Sequence, residues 1–244
     1  MMKKRVMIAA FAIAGCIGIA GCSAGASGTM GTTESKQTET TQEQASVIDY
    51  MVLVNKENPL PDKWEGEVSL TKYTNSVGDE VQTESRAYEA YLELKKALEA
   101  EDVHVDLDSA YRSIAAQQEI VDDFTKKYGE TYVKQYVAVP GYSEHHTGLA
   151  LDLYLNINGE DVYYNEDMVK YPEIWEKIHA KLAEHGFILR YLEGKESVTG
   201  FNYEPWHIRY VDDPAVAKEI TDKGITLEEY LNKLPKTDVT PPKE

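Results

Sequence analysis

The strongest constraint on this chain is an acid in the middle of a strand. Leu149-Ala150-Leu151-Asp152-Leu153-Tyr154 alternates so that Leu149, Leu151 and Leu153 share one face, with Ala150, Asp152 and Tyr154 on the other. A carboxylate among leucines is costly to bury unless it is paired or bound to a cation, so any fold must bring Asp152 a partner. His145 lies seven residues earlier, in Ser143-Glu144-His145-His146-Thr147-Gly148. A second stretch, Glu204-Pro205-Trp206-His207, offers another imidazole. Pro205 biases Glu204 towards extended backbone, so Trp206 to Val211 reads as a strand with His207 and Arg209 on one face.

Two imidazoles and one carboxylate, His145, Asp152 and His207, leave one position open on a metal, as catalytic zinc sites do and structural ones do not. Glu204 is close to a ligand without needing to be one. It could take a proton from water, and the set points to metal-assisted hydrolysis. The same ligand types also make the facial triad of non-haem iron oxygenases, a second reading.

These residues resemble a known family. Ser-x-His-x-x-Gly-x-Ala-x-Asp followed by Glu-Pro-Trp-His-x-Arg-Tyr-Val is similar to the VanY-type zinc D-alanyl-D-alanine carboxypeptidases, which trim peptidoglycan stem peptides. The similarity runs over roughly residues 50 to 212 and takes in Val54-Asn55-Lys56, Ser109-Ala110-Tyr111-Arg112-Ser113 with Gln117, Gly186-Phe187-Ile188 and Gly194-Lys195-Glu196. It departs at Ala110, where the family usually has glycine, and at His146, where it often has glutamine. The resemblance implies the zinc D,D-peptidase (hedgehog-like) fold, a Zn2+ cofactor held by His145, Asp152 and His207, and Glu204 as catalytic base. It also favours His145 over His146. Arg112 is one of only five arginines. On residue grounds alone a bridge to a surface Asp explains it, whereas the resemblance gives it a catalytic role in stabilising charge on oxygen, with Gln117 and Ser143 contacting substrate. The same family includes L,D-carboxypeptidases that act on tetrapeptides. D,D-cleavage, the founding activity, is the expectation, with L,D-cleavage and a non-catalytic wall-binding lipoprotein as alternatives.

The chain has 244 residues and a net charge of −17, which disfavours nucleic acid and unaided binding to anionic lipid or wall polymer. Membrane association must come from elsewhere. Lys3-Lys4-Arg5 precedes the apolar run Val6 to Gly21, a signal-peptide pattern ending in Ile19-Ala20-Gly21-Cys22. Small residues leading into cysteine resemble the bacterial lipobox, with Cys22 lipidated. Ile13-Ala14-Gly15-Cys16 repeats the tetrapeptide, but cleavage there would leave an apolar stretch outside the membrane. The expected protein is thus an exported monomer anchored to the outer face of the cytoplasmic membrane. No cysteine follows Cys22, which excludes disulfides and thiol catalysis.

The organisation follows: a signal peptide over 1–21, a flexible tether over 22–46 rich in Ser, Thr, Gly, Gln and Glu, a catalytic domain over 47–235 and a disordered tail over 236–244. Within the domain, strands are expected at 50–54, 103–110, 151–154 and 187–191. Asn156-Ile157-Asn158-Gly159 should turn a hairpin into 162–164. Helices are expected at 85–100, at 113–128 with Ile114, Ala115, Ile120, Val121 and Phe124 towards a core, at 172–185 capped by Gly186, and at 214–223 and 227–234. His104, His179 and His185 lack partners at ligand spacing and suit surface or capping roles. Short strands mixed with helices, without βαβ alternation, predict an α+β fold around a small antiparallel sheet.

Overall fold

The computed structural model describes residues 48–232. The signal segment, Cys22, the whole tether and the tail lie outside them. In chain order the elements are α1 (Trp64–Glu67), β1 (Leu70–Thr74), β2 (Glu80–Glu84), α2 (Ser85–Glu99), β3 (His104–Ser109), α3 (Ile114–Tyr128), α4 (Glu130–Tyr136), a 3-10 turn (Glu144–Thr147), β4 (Ala150–Ile157) and β5 (Glu160–Val162). There follow α5 (Asn165–Met168), α6 (Pro172–Leu182), β6 (Phe187–Leu189), α7 (Glu196–Thr199), β7 (His207–Tyr210), α8 (Pro214–Lys223) and α9 (Leu227–Tyr230). β1 and β2 form a separate hairpin; the main sheet runs β3-β4-β7-β6, with β5 on β4, and every pairing is antiparallel. This is the expected α+β architecture.

Local chemistry explains most of the elements. Asn158 and Gly159 take φ of 55° and 86°, the double positive-φ turn whose twist suits the β4–β5 hairpin. The Glu84 carboxylate accepts from the Arg86 and Ala87 amides and starts α2. Ala87, Tyr91, Leu94 and Leu98, spaced along one face of α2, are buried in the main core. α6 buries Trp175, Ile178 and Leu182 in the same core, and the turn after it ends at Gly186 with φ 73°. A Cβ there would stand 2.8 Å from the Asp212 carbonyl oxygen, so only glycine fits.

Four expectations are corrected. Residues 50–54 form no strand, although Val52, Leu53 and Val54 are buried. The carbonyls of Tyr50 and Val52 instead accept from Arg209 Nη2, each at 2.9 Å, so a guanidinium does the work of a neighbouring strand. On α3 only Gln117 is buried: Ile114 is exposed, while Ile120 and Phe124 line an open cleft. The apolar periodicity is real, but it faces the cleft and not the core. The return strand of the hairpin is Glu160–Val162 and not 162–164, because the turn at Asn158-Gly159 lets pairing resume at once. α9 stops at Tyr230 instead of running to 234, although Leu231 at its end still packs against the smaller core cluster.

Candidate metal centre

The sheet register builds the centre. β4 and β7 pair so that Asp152 lies directly opposite His207, and directly opposed residues of antiparallel strands project from the same face. On its other edge Asp152 is paired with Ser109, after a bulge in β3 at residues 107–109. The 3-10 turn just before β4 delivers His145. Its end is fixed by Gly148, whose φ is 72° and where a Cβ would lie 3.1 Å from the Glu84 nitrogen.

His145 Nε2 is 3.2 Å from Asp152 Oδ2, and His207 Nδ1 is 2.8 Å from Asp152 Oδ1. One ligand atom from each of the three residues falls within 4.8 Å of the others. His145 Nδ1 donates to the Ala110 carbonyl at 2.7 Å, which leaves Nε2 with its lone pair towards Asp152. His207 Nε2 faces Glu144 Oε2 at 3.2 Å, which leaves Nδ1 for the same centre. Despite its neighbour, Asp152 Oδ1 makes no well-aligned hydrogen bond, the one such buried side-chain oxygen among the described residues. An orphaned carboxylate oxygen between two imidazole nitrogens fits a divalent cation, and this donor set suits zinc.

The titratable groups carry the mark of that arrangement. Burial disfavours charge on Asp152, but His145 and His207 outweigh it and hold its carboxyl far below the ordinary range. Burial lowers the His145 pKa. Burial also opposes charging of His207, yet Asp152, Glu144 and Glu204 push it up to about 10 in the metal-free protein. Glu204, partly buried with Oε2 3.8 Å from His207 Nδ1, is raised to about 7, first by burial and then by the Asp152 and Glu144 charges against the pull of His207. A carboxyl poised there can exchange a proton near neutrality.

A cleft of about 280 Å³ opens over these residues, lined also by Arg112, Gln117, Ser143 and Glu204. Arg112 lies between β3 and α3 as expected. It donates to Gln117 Oε1 at 2.9 Å and Ser109 Oγ at 3.1 Å, which aim the guanidinium into the cleft. Gln117 is thereby engaged at both ends, since its Nε2 donates to the Ala138 carbonyl at 2.8 Å. Its first task is to hold Arg112. Ser143 is buried and lines the cleft. His146 is no ligand: Nδ1 donates to the Arg112 carbonyl at 2.7 Å, and Nε2 accepts from the Gly141 amide at 3.0 Å. His179 donates to the Pro205 carbonyl at 2.9 Å and steadies the turn before His207, while His104 pairs with Asp102 at the surface.

Sequence reasoning missed the buried charges behind the centre. Glu144, Arg190, Arg209 and Glu228 are all within 3% of full burial. The available signal was the one that singled out Asp152: Arg190 and Arg209 each interrupt an apolar strand run.

An antiparallel sheet and the 3-10 turn that leads into it, which together present two imidazoles and a carboxylate at a cleft with a poised carboxyl beside them, define a metal-dependent hydrolase. The sequence pattern of the VanY D-alanyl-D-alanine carboxypeptidases matches residues 80–213, and the chain belongs to that family. It is 36% identical over 203 residues to the putative carboxypeptidase YodJ of Bacillus subtilis (strain 168), covering 81% of this chain and 71% of that protein. A solved vancomycin-resistance D,D-pentapeptidase VanY variant, in complex with Zn(II), is 33% identical with a TM-score of 0.62, covering 75% of this chain and 99% of that one. The LD-carboxypeptidase LdcB has a TM-score of 0.61 at 33% identity, over 76% of this chain and 86% of its own. These relatives are peptidases, and the oxygenase reading is set aside.

Proposed function

We propose that this chain is a zinc D-alanyl-D-alanine carboxypeptidase that removes the C-terminal D-alanine of peptidoglycan stem peptides. The observation that carries the reading is the opposed pair Asp152 and His207, completed by His145, with Glu204 and Arg112 facing the same cleft. A zinc ion held by the three ligands would supply a Lewis acid and lower the pKa of water from 15.7 towards about 7. Glu204 takes the proton from the attacking water and returns it to the leaving amine. Arg112, held by Ser109 and Gln117, donates to the oxygen on which charge develops as the tetrahedral intermediate forms. Ser143 contacts the substrate from the cleft wall. Because these groups serve any C-terminal peptide bond, similarity to both a D,D-pentapeptidase and an LD-carboxypeptidase leaves substrate length to experiment. Incubation with pentapeptide and tetrapeptide stems in parallel should release D-alanine from the pentapeptide, and release from tetrapeptide alone would reassign the chain to L,D-cleavage.

The catalytic domain over 47–235 is read as an exported monomer, tethered by residues 22–46 to a lipid on Cys22 at the outer face of the cytoplasmic membrane. The lipobox-like Ile19-Ala20-Gly21-Cys22 supports this. Cys22→Ser should release the protein from membranes, and retention of the variant with Cys16 intact would refute the anchor.

A further inference from the structure

We propose that His207 is held in its metal-binding orientation by a chain of buried charges that begins at Glu228 on α9, outside the segment matched to the family, so that Glu228 and Arg190 are remote positioning residues for the metal centre. This rests on the metal reading of the site given above.

The chain is continuous. Arg190 grips Glu228 with both terminal nitrogens, Nη2 to Oε1 at 2.6 Å and Nη1 to Oε2 at 2.9 Å. Its Nε donates to Glu144 Oε1 at 2.9 Å, and Arg209 Nη1 donates to the same oxygen at 2.6 Å. With Oε1 held twice, the other oxygen of Glu144 is left facing His207 Nε2 at 3.2 Å. An imidazole that binds metal through Nδ1 carries its proton on Nε2, and Glu144 Oε2 is the acceptor that fixes both tautomer and ring plane. Two arginines against two glutamates make the set neutral, with side-chain exposures of 0% or 1% for every member of the Arg190 and Arg209 pairs.

Glu228 closes the chain. Without it Arg190 would be a buried cation with two unsatisfied donors, and its remaining strong partner would be Glu144. That competition draws the Glu144 carboxylate off His207. α9 is built to place Glu228: Thr226 and Glu229 form a reciprocal cap at its start, and Asn55 Nδ2 donates to Glu228 Oε1 at 3.0 Å. Glu228 lies outside residues 80–213, which match the family pattern. α9, which follows that segment, thus reaches the metal centre through the buried arginine.

The test is zinc affinity by chelator competition, together with the visible spectrum of the cobalt(II)-loaded protein, which reads ligand geometry and not overall stability. Glu144→Gln should weaken zinc binding about 10- to 100-fold, and Glu228→Gln about tenfold with a shift of the cobalt bands. A folded Glu228→Gln variant with unchanged zinc affinity and cobalt spectrum would overturn the inference. Should that variant not fold, Arg190→Met/Glu228→Met removes the pair together and leaves no unpaired charge. Weakened zinc binding in the folded double variant supports the chain, and wild-type affinity refutes it. Wild-type protein that takes up neither ion would refute the metal reading and this inference with it, whereas equal affinity in all variants refutes the inference alone.

Discussion

Glu204→Gln separates chemistry from architecture at this site. The amide keeps the size of the carboxyl and can hydrogen-bond water, but it cannot accept the proton. General-base assistance contributes about 10²- to 10⁴-fold, so kcat should fall by that factor, equivalent to about 2.7–5.4 kcal/mol at 1.36 kcal/mol per tenfold. The three ligands are untouched: Glu204 Oε2 stands 3.8 Å from His207 Nδ1, farther than either Asp152 oxygen from its imidazole. Zinc content should therefore stay at one per chain. The fold should not suffer either, because burial raises the Glu204 pKa, which means that its ionised form is disfavoured in the folded state. The same shift sets the pH profile. A base works only when ionised, so activity falls as pH drops through the Glu204 pKa, which is about 7 without metal. A dication beside it favours the carboxylate, and the acid limb should lie between the ordinary carboxyl value and 7. The assay is D-alanine release from a pentapeptide stem across pH, with zinc content followed in parallel. Turnover within threefold of wild type, or an unmoved acid limb in the variant, would remove Glu204 from the mechanism.

Chelation of the wild-type chain should abolish D-alanine release, and zinc should restore it; full activity in protein shown by elemental analysis to be metal-free would refute the site. Trp175, 1% exposed and donating through Nε1 to the Met168 carbonyl at 2.9 Å, anchors α6, and Trp175→Ala should cost about 3–5 kcal/mol in urea unfolding. A loss below 1 kcal/mol would show that α6 is not part of the core. In acid, burial raises the carboxyls of Glu144 and Glu228, but the arginines outweigh it: Arg190 and Arg209 at Glu144, and Arg190 at Glu228. Both are held below the ordinary value, so their contribution to stability is complete above the unfolded pKa of about 4.3 and lost as pH falls through the folded values. Stability should drop more steeply below pH 4 in the wild type than in Arg190→Met/Glu228→Met, and parallel curves would refute the assignment.

The sequence by itself determined much of the centre. A carboxylate in an apolar strand requires a partner or a cation, His207 lies in a second strand-like run, and the family resemblance chose His145 over its neighbour His146. Alternation and caps also placed most helices, because the apolar period, Pro at a first turn and Gly at an end act within a few residues. The tertiary structure decided what those faces meet. The period of α3 is sound, but only packing turns Ile120 and Phe124 to a cleft. The run at 50–54 is β-prone, yet Arg209, 157 residues away from Val52, takes its carbonyls. Register alone sets Asp152 against His207, and three-dimensional contact alone selects Nδ1 of His207 and Nε2 of His145 for the metal. Of the charges behind them, Arg190 and Arg209 show as interruptions of apolar runs, but their pairing, across 46 residues between Glu144 and Arg190 and 38 between Arg190 and Glu228, leaves no local pattern. Each is costly to bury by itself, and only the assembled fold supplies the partner that makes it tolerable.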